Sequence, residues 1–290
     1  MIAENVGLVL EGGGMRGSYT SGVLAVLMDE NIRFPYVIGV SAGASNGANF
    51  VAGQRERNRK VFIDYVENKE YSGFKHLIKN KSYFNMDFLY SALPNDIVPF
   101  DYDTFQKSET TFKACVTHCE TGKPIYFEKS DFDPEHYMEA VLRASSSLPV
   151  ISQPVEINEE LYYDGGIVDP IPIEKSIKDG NFYNVIILTR NKEYRKTEQK
   201  SGLITKSKLK NYPKIREAIK VRHIRYNLLL DVIDKLEEDG KVYIFRPEKS
   251  LEVDRLEKDI SKLEELYDQG YREAMLQMDK FKKWLKGTKA

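Results

Sequence analysis

Two short apolar runs near the amino terminus each end in a turn of small residues that opens a helix. This repetition constrains the fold more than any other feature of the chain. Val6-Gly7-Leu8-Val9-Leu10 leads into Glu11-Gly12-Gly13-Gly14-Met15-Arg16-Gly17, and Tyr36-Val37-Ile38-Gly39 leads into Val40-Ser41-Ala42-Gly43. A short continuous apolar run marks a strand buried on both faces, as in a parallel sheet covered by helices. Val23, Leu24, Val26 and Leu27 supply the apolar face of an intervening helix, and the small residues from Ala42 to Gly53 predict a second, tightly packed one. Strand, helix, strand and helix in close succession predict an α/β fold with parallel neighbours.

Beyond this unit the pattern is less regular. Residues 55–110 read as helices and loops with breakers at Gly73, Pro94 and Pro99, and residues 112–128 as a hairpin turning at Thr121-Gly122. Pro134 suits the first turn of a helix running to Ser145. Val155-Glu156-Ile157 and Leu161-Tyr162-Tyr163 flank Asn158-Glu159-Glu160 in a second hairpin pattern. A helix over 173–179 ends at Gly180, and Asn184–Leu188 is a late core strand. After residue 190 the composition shifts: from Arg190 to Arg225 there are 13 Lys and Arg against 3 Asp and Glu. A long amphipathic helix over 213–238, a strand Val242–Phe245 and a helical tail from 261 follow. The expected organisation is a body over residues 5–190 and, over 191–290, a basic linker with a mainly helical region packing on that body.

The chain has 290 residues, 41% hydrophobic and 30% charged, with a formal net charge of −1. This suits a globular protein and gives no reason to expect nucleic acid as partner. No apolar run approaches the ~20 residues of a spanning helix. Met1-Ile2-Ala3-Glu4-Asn5 lacks the basic start and apolar stretch of a secretory signal, so a cytoplasmic location is expected. Cys115 and Cys119 alternate onto one face of a strand, and no second ligand pair accompanies them, so buried free thiols are expected rather than a metal site.

Gly39-Val40-Ser41-Ala42-Gly43 fits the G-x-S-x-G nucleophile elbow. A serine in a sharp strand-to-helix turn needs small residues two positions to either side, and its Oγ then projects at the positive end of the next helix. Gly12–Gly17 also follows a strand and opens a helix, so its N–H groups can cradle an anion. It matches a dinucleotide loop, but that reading needs an acidic residue after the second strand, where Ser41 stands instead; Asp29 and Glu30 come before Pro35. The other reading is an oxyanion hole. For a base, His76, His118, His136 and His223 are the histidines, and none sits in a turn flanked by small residues. Asp164, at the end of the run Leu161-Tyr162-Tyr163 and before Gly165-Gly166, is the better candidate, with Asp169 a rival followed by Pro170. An aspartate before two glycines is also ordinary turn chemistry.

These three motifs, in this order, resemble the patatin-like phospholipase family. Arg143-Ala144-Ser145-Ser146-Ser147-Leu148-Pro149 through Asp164-Gly165-Gly166-Ile167-Val168-Asp169-Pro170 is similar to the family's approach to its aspartate. The likeness covers residues 5–190. Phe245-Arg246-Pro247 and Arg255–Asp259 in the tail resemble bacterial members. The resemblance implies a three-layer α/β/α fold with a mostly parallel central sheet and a helical C-terminal extension. It further implies a lipid acyl hydrolase acting on phospholipid or other fatty-acyl esters, without metal or organic cofactor. Ser41 would be the nucleophile and Asp164 the general base. Gly12, Gly13, Gly14, Met15 and Arg16 would form the oxyanion hole, and Gly17, Gly39, Gly43, Gly165 and Gly166 would be the elbow and motif glycines. Two alternatives stay open: a Ser41–Asp164–His223 triad esterase, and a non-catalytic nucleotide- or acyl-binding regulatory protein. The basic stretch 190–225 suggests peripheral contact with anionic membrane, or a solvated linker.

Overall fold

The computed structural model describes residue 3 and residues 5–198, 202–249 and 252–288; Met1, Ile2 and Glu4 of the amino-terminal reading and Lys200 of the basic stretch lie outside the described residues. Eight strands form one mixed sheet: β1 (Val6–Leu10), β2 (Tyr36–Val40), β3 (Thr111–His118), β4 (Pro124–Glu128), β5 (Val155–Ile157), β6 (Glu160–Asp164), β7 (Tyr183–Ile187) and β8 (Val242–Phe245). Their spatial order is β5-β6-β3-β2-β1-β7-β8, with β4 also paired to β3. The strands β3, β2, β1, β7 and β8 run parallel, β4 and β6 run antiparallel to β3, and β5 runs antiparallel to β6.

β1 and β2 are buried along their whole length, as continuous apolar runs require. The pleat sends alternate residues to opposite layers. Leu8 and Leu10 of β1 join Val37 of β2 in one core with helix α1 (Gly17–Asp29), helix α2 (Ala42–Val51) and the helix Ile260–Gly287. Val9 and Ile38 face the other way and pack with Ile173, Tyr226, Leu230 and Ile233, from the helices Ile173–Lys178 and Pro213–Glu238. The result is three layers, α/β/α. The carboxy-terminal region gives one long helix to each outer layer and β8 to the sheet. Tyr19 of α1 donates to Glu273 Oε2 at 2.8 Å, tying the last helix to the first.

The hairpins lie where the sequence placed them. In the second, Asn158 and Glu159 both adopt positive φ, 52° and 66°, the backbone of a two-residue turn that matches strand twist. Pro94 differs from expectation: it lies inside the helix Phe88–Ile97, which is wound as a π-helix. The wider turn accommodates a residue that cannot donate an N–H. A π segment, Tyr137–Leu142, also interrupts the helical run from Pro134 to Ser145. Among the described residues, no helix is long and apolar enough to cross a membrane.

One detail of register positions the site. β3 pairs parallel with β2 up to Val40↔Cys115, then antiparallel with β6 from Val116↔Asp164. The end of β2 and the end of β6 therefore meet across two consecutive residues of β3.

Candidate active site

Ser41 follows β2 and caps α2 with φ 55° and ψ −125°, a conformation that a non-glycine residue holds only under strain. The flanking glycines are sterically required. A Cβ on Gly43 would lie 2.5 Å from the Leu10 carbonyl oxygen, and one on Gly39 would lie 2.7 Å from the backbone of Gly43 and Ala44. The strained turn is held from below: Ser41 N–H donates to Ser145 Oγ at 2.9 Å, and Ser145 Oγ donates to the Cys115 carbonyl at 2.7 Å.

Asp164 ends β6 with 2% of its surface exposed. Its carboxylate accepts a 2.7 Å hydrogen bond from Gly166 N–H and shares a cleft with Ser41. Its backbone is fixed as well: its N–H donates to Ser147 O at 2.9 Å, and Thr117 Oγ1 donates to its carbonyl at 2.8 Å. Burial pushes the carboxyl above its usual range, while the nearby Ser41 hydroxyl, the Gly166 N–H and the charges of Arg222 and Arg255 act in the opposite direction. Gly165 packs against Cys115, and Gly17 against Ala42 and Asn46.

The rival Asp169 is also buried and is pushed up to about 6 by that burial. It accepts a 2.6 Å hydrogen bond from Tyr126 OH and faces a separate surface cavity that Ser41 does not line. The histidines are elsewhere. His76 Nε2 bonds the Lys69 carbonyl, His118 bonds Thr121 and Glu160, and His136 stacks on Phe132. His223 is on the helix Pro213–Glu238 and lines neither cleft at Ser41, so the residues of a Ser41–Asp164–His223 triad are not brought together. Cys115 and Cys119 are buried free thiols.

The glycine loop runs beside the elbow, but not all of it is free. Gly12 N–H donates to Pro170 O at 3.3 Å and Met15 N–H to Arg255 O at 3.2 Å. These bonds remove two of the expected oxyanion donors, because a backbone N–H bonded within the fold is not available to a ligand. Gly13 and Gly14, which line the same cleft as Ser41, keep N–H groups without a protein acceptor among the described residues. Gly14 has φ +58°, and a Cβ there would meet the Arg255 carbonyl oxygen at 2.6 Å. Arg16 is buried and contributes its guanidinium side chain to the cleft.

Two clefts open at Ser41 from different sides, and Gly14, Ser41, Leu148 and Arg255 line both. One is apolar, about 800 Å³, with walls that include Met15, Phe62, Tyr71, Phe84, Leu89, Met138 and Leu142. The other is polar and lined by Glu11, Asp164, Arg16, Arg190, Lys196, Arg222 and Arg255. Sequence reasoning singles out Asp164 and Arg16 of this wall but misses Ser145 and the other cations. Ser145 was in a recognised segment, but no linear signal marks it as a support of the elbow. Arg190, Lys196 and Arg222 were in the basic stretch, and spacing does not tell which cations turn inward.

A serine at a strained strand-to-helix elbow, sharing a cleft with a buried aspartate and a glycine loop on a three-layer sheet, defines the class. The chain belongs to the patatin-like phospholipase family, whose sequence model matches residues 8–177. A second model, a domain of unknown function (DUF6363), matches residues 212–286. Within the family, the chain is 31% identical over 189 residues to the uncharacterized protein YjjU of Escherichia coli, covering 63% of this chain and 52% of the relative. It is 25% identical over 177 residues to lysophospholipase nte1 of Aspergillus terreus, covering 60% of this chain and 11% of that protein. The chain thus spans about half the length of the bacterial relative and a small part of the fungal one. Among solved structures, VipD of Legionella pneumophila aligns with 95% of this chain and 67% of its own, at 14% identity and a TM-score of 0.49.

Proposed function

We propose that the protein is a lipid acyl hydrolase that cleaves fatty-acyl esters through a Ser41–Asp164 dyad and an acyl-enzyme. The meeting of the strained Ser41 and the buried Asp164 carboxylate in one cleft carries this reading. Family membership and the likeness to a lysophospholipase support it.

The apolar cleft takes the fatty-acyl chain, which leaves the ester carbonyl at Ser41. Ser41 Oγ attacks that carbonyl while Asp164 takes the hydroxyl proton, a transfer favoured by a carboxylate whose burial raises its proton affinity. The oxyanion of the tetrahedral intermediate accepts from Gly13 and Gly14 N–H, with the amino terminus of α2 adding positive potential. Asp164 returns the proton to the departing alcohol. Water, deprotonated by Asp164, then attacks the acyl-serine, and Asp164 returns that proton to Ser41 Oγ as the acyl–oxygen bond breaks and the fatty acid leaves. Every proton moves through Asp164, so the scheme needs neither histidine nor metal.

A fluorophosphonate probe tests the nucleophile. Mass spectrometry is expected to find one adduct, on the peptide containing Ser41, and none in the Ser41→Ala protein. Equal labelling of both proteins would contradict the proposal.

A further inference from the structure

The polar cleft carries more positive charge than hydrolysis of an ester requires. Arg16, Arg190, Lys196, Arg222 and Arg255 line it, from segments as distant in sequence as the glycine loop and the carboxy-terminal region. Against these five cations stand two carboxylates, Glu11 and Asp164. Glu11 is occupied: Oε2 accepts from Thr189 N–H at 2.6 Å and Thr189 Oγ1 at 3.0 Å, and Oε1 accepts from Tyr226 OH at 2.6 Å. Asp164 accepts from Gly166 N–H at 2.7 Å. The neighbouring Arg195 turns outward to Asp231 and Asp234, whereas no ion pair among the described residues involves any of the five.

These cations are positioned rather than neutralised. Arg16 is 7% exposed, and its Nε, like that of Arg190, is buried without a hydrogen-bond partner. The Arg190 guanidinium lies 4.6 Å from the centre of the Tyr194 ring, and Lys196 Nζ lies 4.6 Å from that of Tyr226. Arg222 Nε donates to the Gly166 carbonyl at 2.6 Å, beside the catalytic aspartate. Burial first, then mutual repulsion, pulls Arg16 and Arg222 down to about 10 and Lys196 to about 7. Gathering like charges out of water is costly, and a bound anion would relieve that cost. Arginine forks suit phosphate oxygens, which they can grip in bidentate fashion. A quaternary ammonium on the same head group would enter a field of the wrong sign.

We propose that this cleft is a phosphate-binding subsite that seats a phosphomonoester head group of the lipid, while the acyl chain occupies the apolar cleft on the other side of Ser41. The inference rests on the hydrolase reading for its choice of ligand. Free inorganic phosphate carries the same chemistry, so the test separates the two sources.

A Ser41→Ala variant of this 290-residue chain is expected to bind without turnover, so calorimetry can compare monomeric single-chain ligands of equal acyl length. The ligands are a lysophosphatidate, a lysophosphatidylcholine and a monoacylglycerol, with inorganic phosphate as a fourth probe. Lysophosphatidate is expected to bind at least tenfold more tightly than the other three and to weaken as salt is raised. Arg190→Gln or Lys196→Gln, each added to the Ser41→Ala protein, is expected to erase most of that preference. Both side chains are partly solvent-exposed, and thermal melts check that each variant folds. Equal affinity for lysophosphatidate and monoacylglycerol, or a preference untouched by both substitutions, would overturn the proposal. Inorganic phosphate binding as tightly as lysophosphatidate would overturn the head-group assignment. Failure of the wild-type protein to hydrolyse a neutral p-nitrophenyl ester would sink the hydrolase reading separately, leaving the binding result to stand by itself.

Discussion

Ser145 Oγ accepts a hydrogen bond from the backbone N–H of Ser41 at 2.9 Å and donates one to the Cys115 carbonyl at 2.7 Å. The helix that precedes the aspartate segment thus fastens the nucleophile's strained backbone to the strand that brings Asp164 alongside. Removing the hydroxyl would leave a buried N–H and a buried carbonyl unpaired. Ser145→Ala is therefore expected to lower stability by about 1–3 kcal/mol in urea unfolding and to reduce kcat. Unchanged stability and turnover would show that the elbow is held by other means.

The oxyanion assignment rests on Gly13 and Gly14. A methyl group on Gly14 would collide with the Arg255 carbonyl and strain a backbone at positive φ, shifting the N–H that the intermediate needs. Gly14→Ala is expected to cost about 10²–10³ in kcat, the usual loss for one such donor. Gly53 is the control: it also has positive φ, but nothing lies within 4 Å of the site a Cβ would take. Gly53→Ala is expected to keep full activity, and equal losses for both substitutions would count against a role for Gly14.

Asp164 must be ionised to act as base. Its pKa is raised, chiefly by burial, so the rate of acylation is expected to fall as pH drops through a value above the ordinary carboxylate range of about 3.9. The stability sign is opposite to that of a salt-bridged aspartate. The folded state holds the Asp164 proton to higher pH than the unfolded chain does, so the group costs stability above the unfolded-state pKa, and the cost vanishes in acid. Asp164→Asn is expected to lose about 10²–10⁴ in rate. It is also expected to melt higher than wild type at pH 8, with the difference closing toward pH 4. A wild-type advantage at pH 8 would show that the carboxylate is stabilised by its partners more than it is penalised by burial.

His223 lies outside both clefts at Ser41. His223→Ala is expected to retain most ester hydrolysis. A loss of a hundredfold or more, with the fold intact by circular dichroism, would return the triad to contention.

What was legible in the sequence was local. The apolar runs of β1 and β2, the elbow glycines and the turn at Asn158-Glu159 each carry their physical cause within a few residues. The order of the three motifs, through the family resemblance, pointed to Ser41 and Asp164 together, although the register that brings their strand ends beside Cys115 and Val116 is a property of the sheet. The remainder depends on long-range packing. Whether Gly12 N–H is free depends on Pro170, and whether Met15 N–H is free depends on Arg255. The inward turn of Arg190, Lys196 and Arg222 depends on Tyr194, Tyr226 and Gly166, whose positions only the assembled fold provides.

The central claim is that Ser41, served by Asp164, carries the acyl chemistry. Its most direct test is fatty-acid release from a monomeric fatty-acyl ester by wild type and Ser41→Ala at equal concentration. Wild type is expected to turn over, and Ser41→Ala to fall by about 10³-fold or more. Hydrolysis at the wild-type rate by the Ser41→Ala protein would contradict the claim.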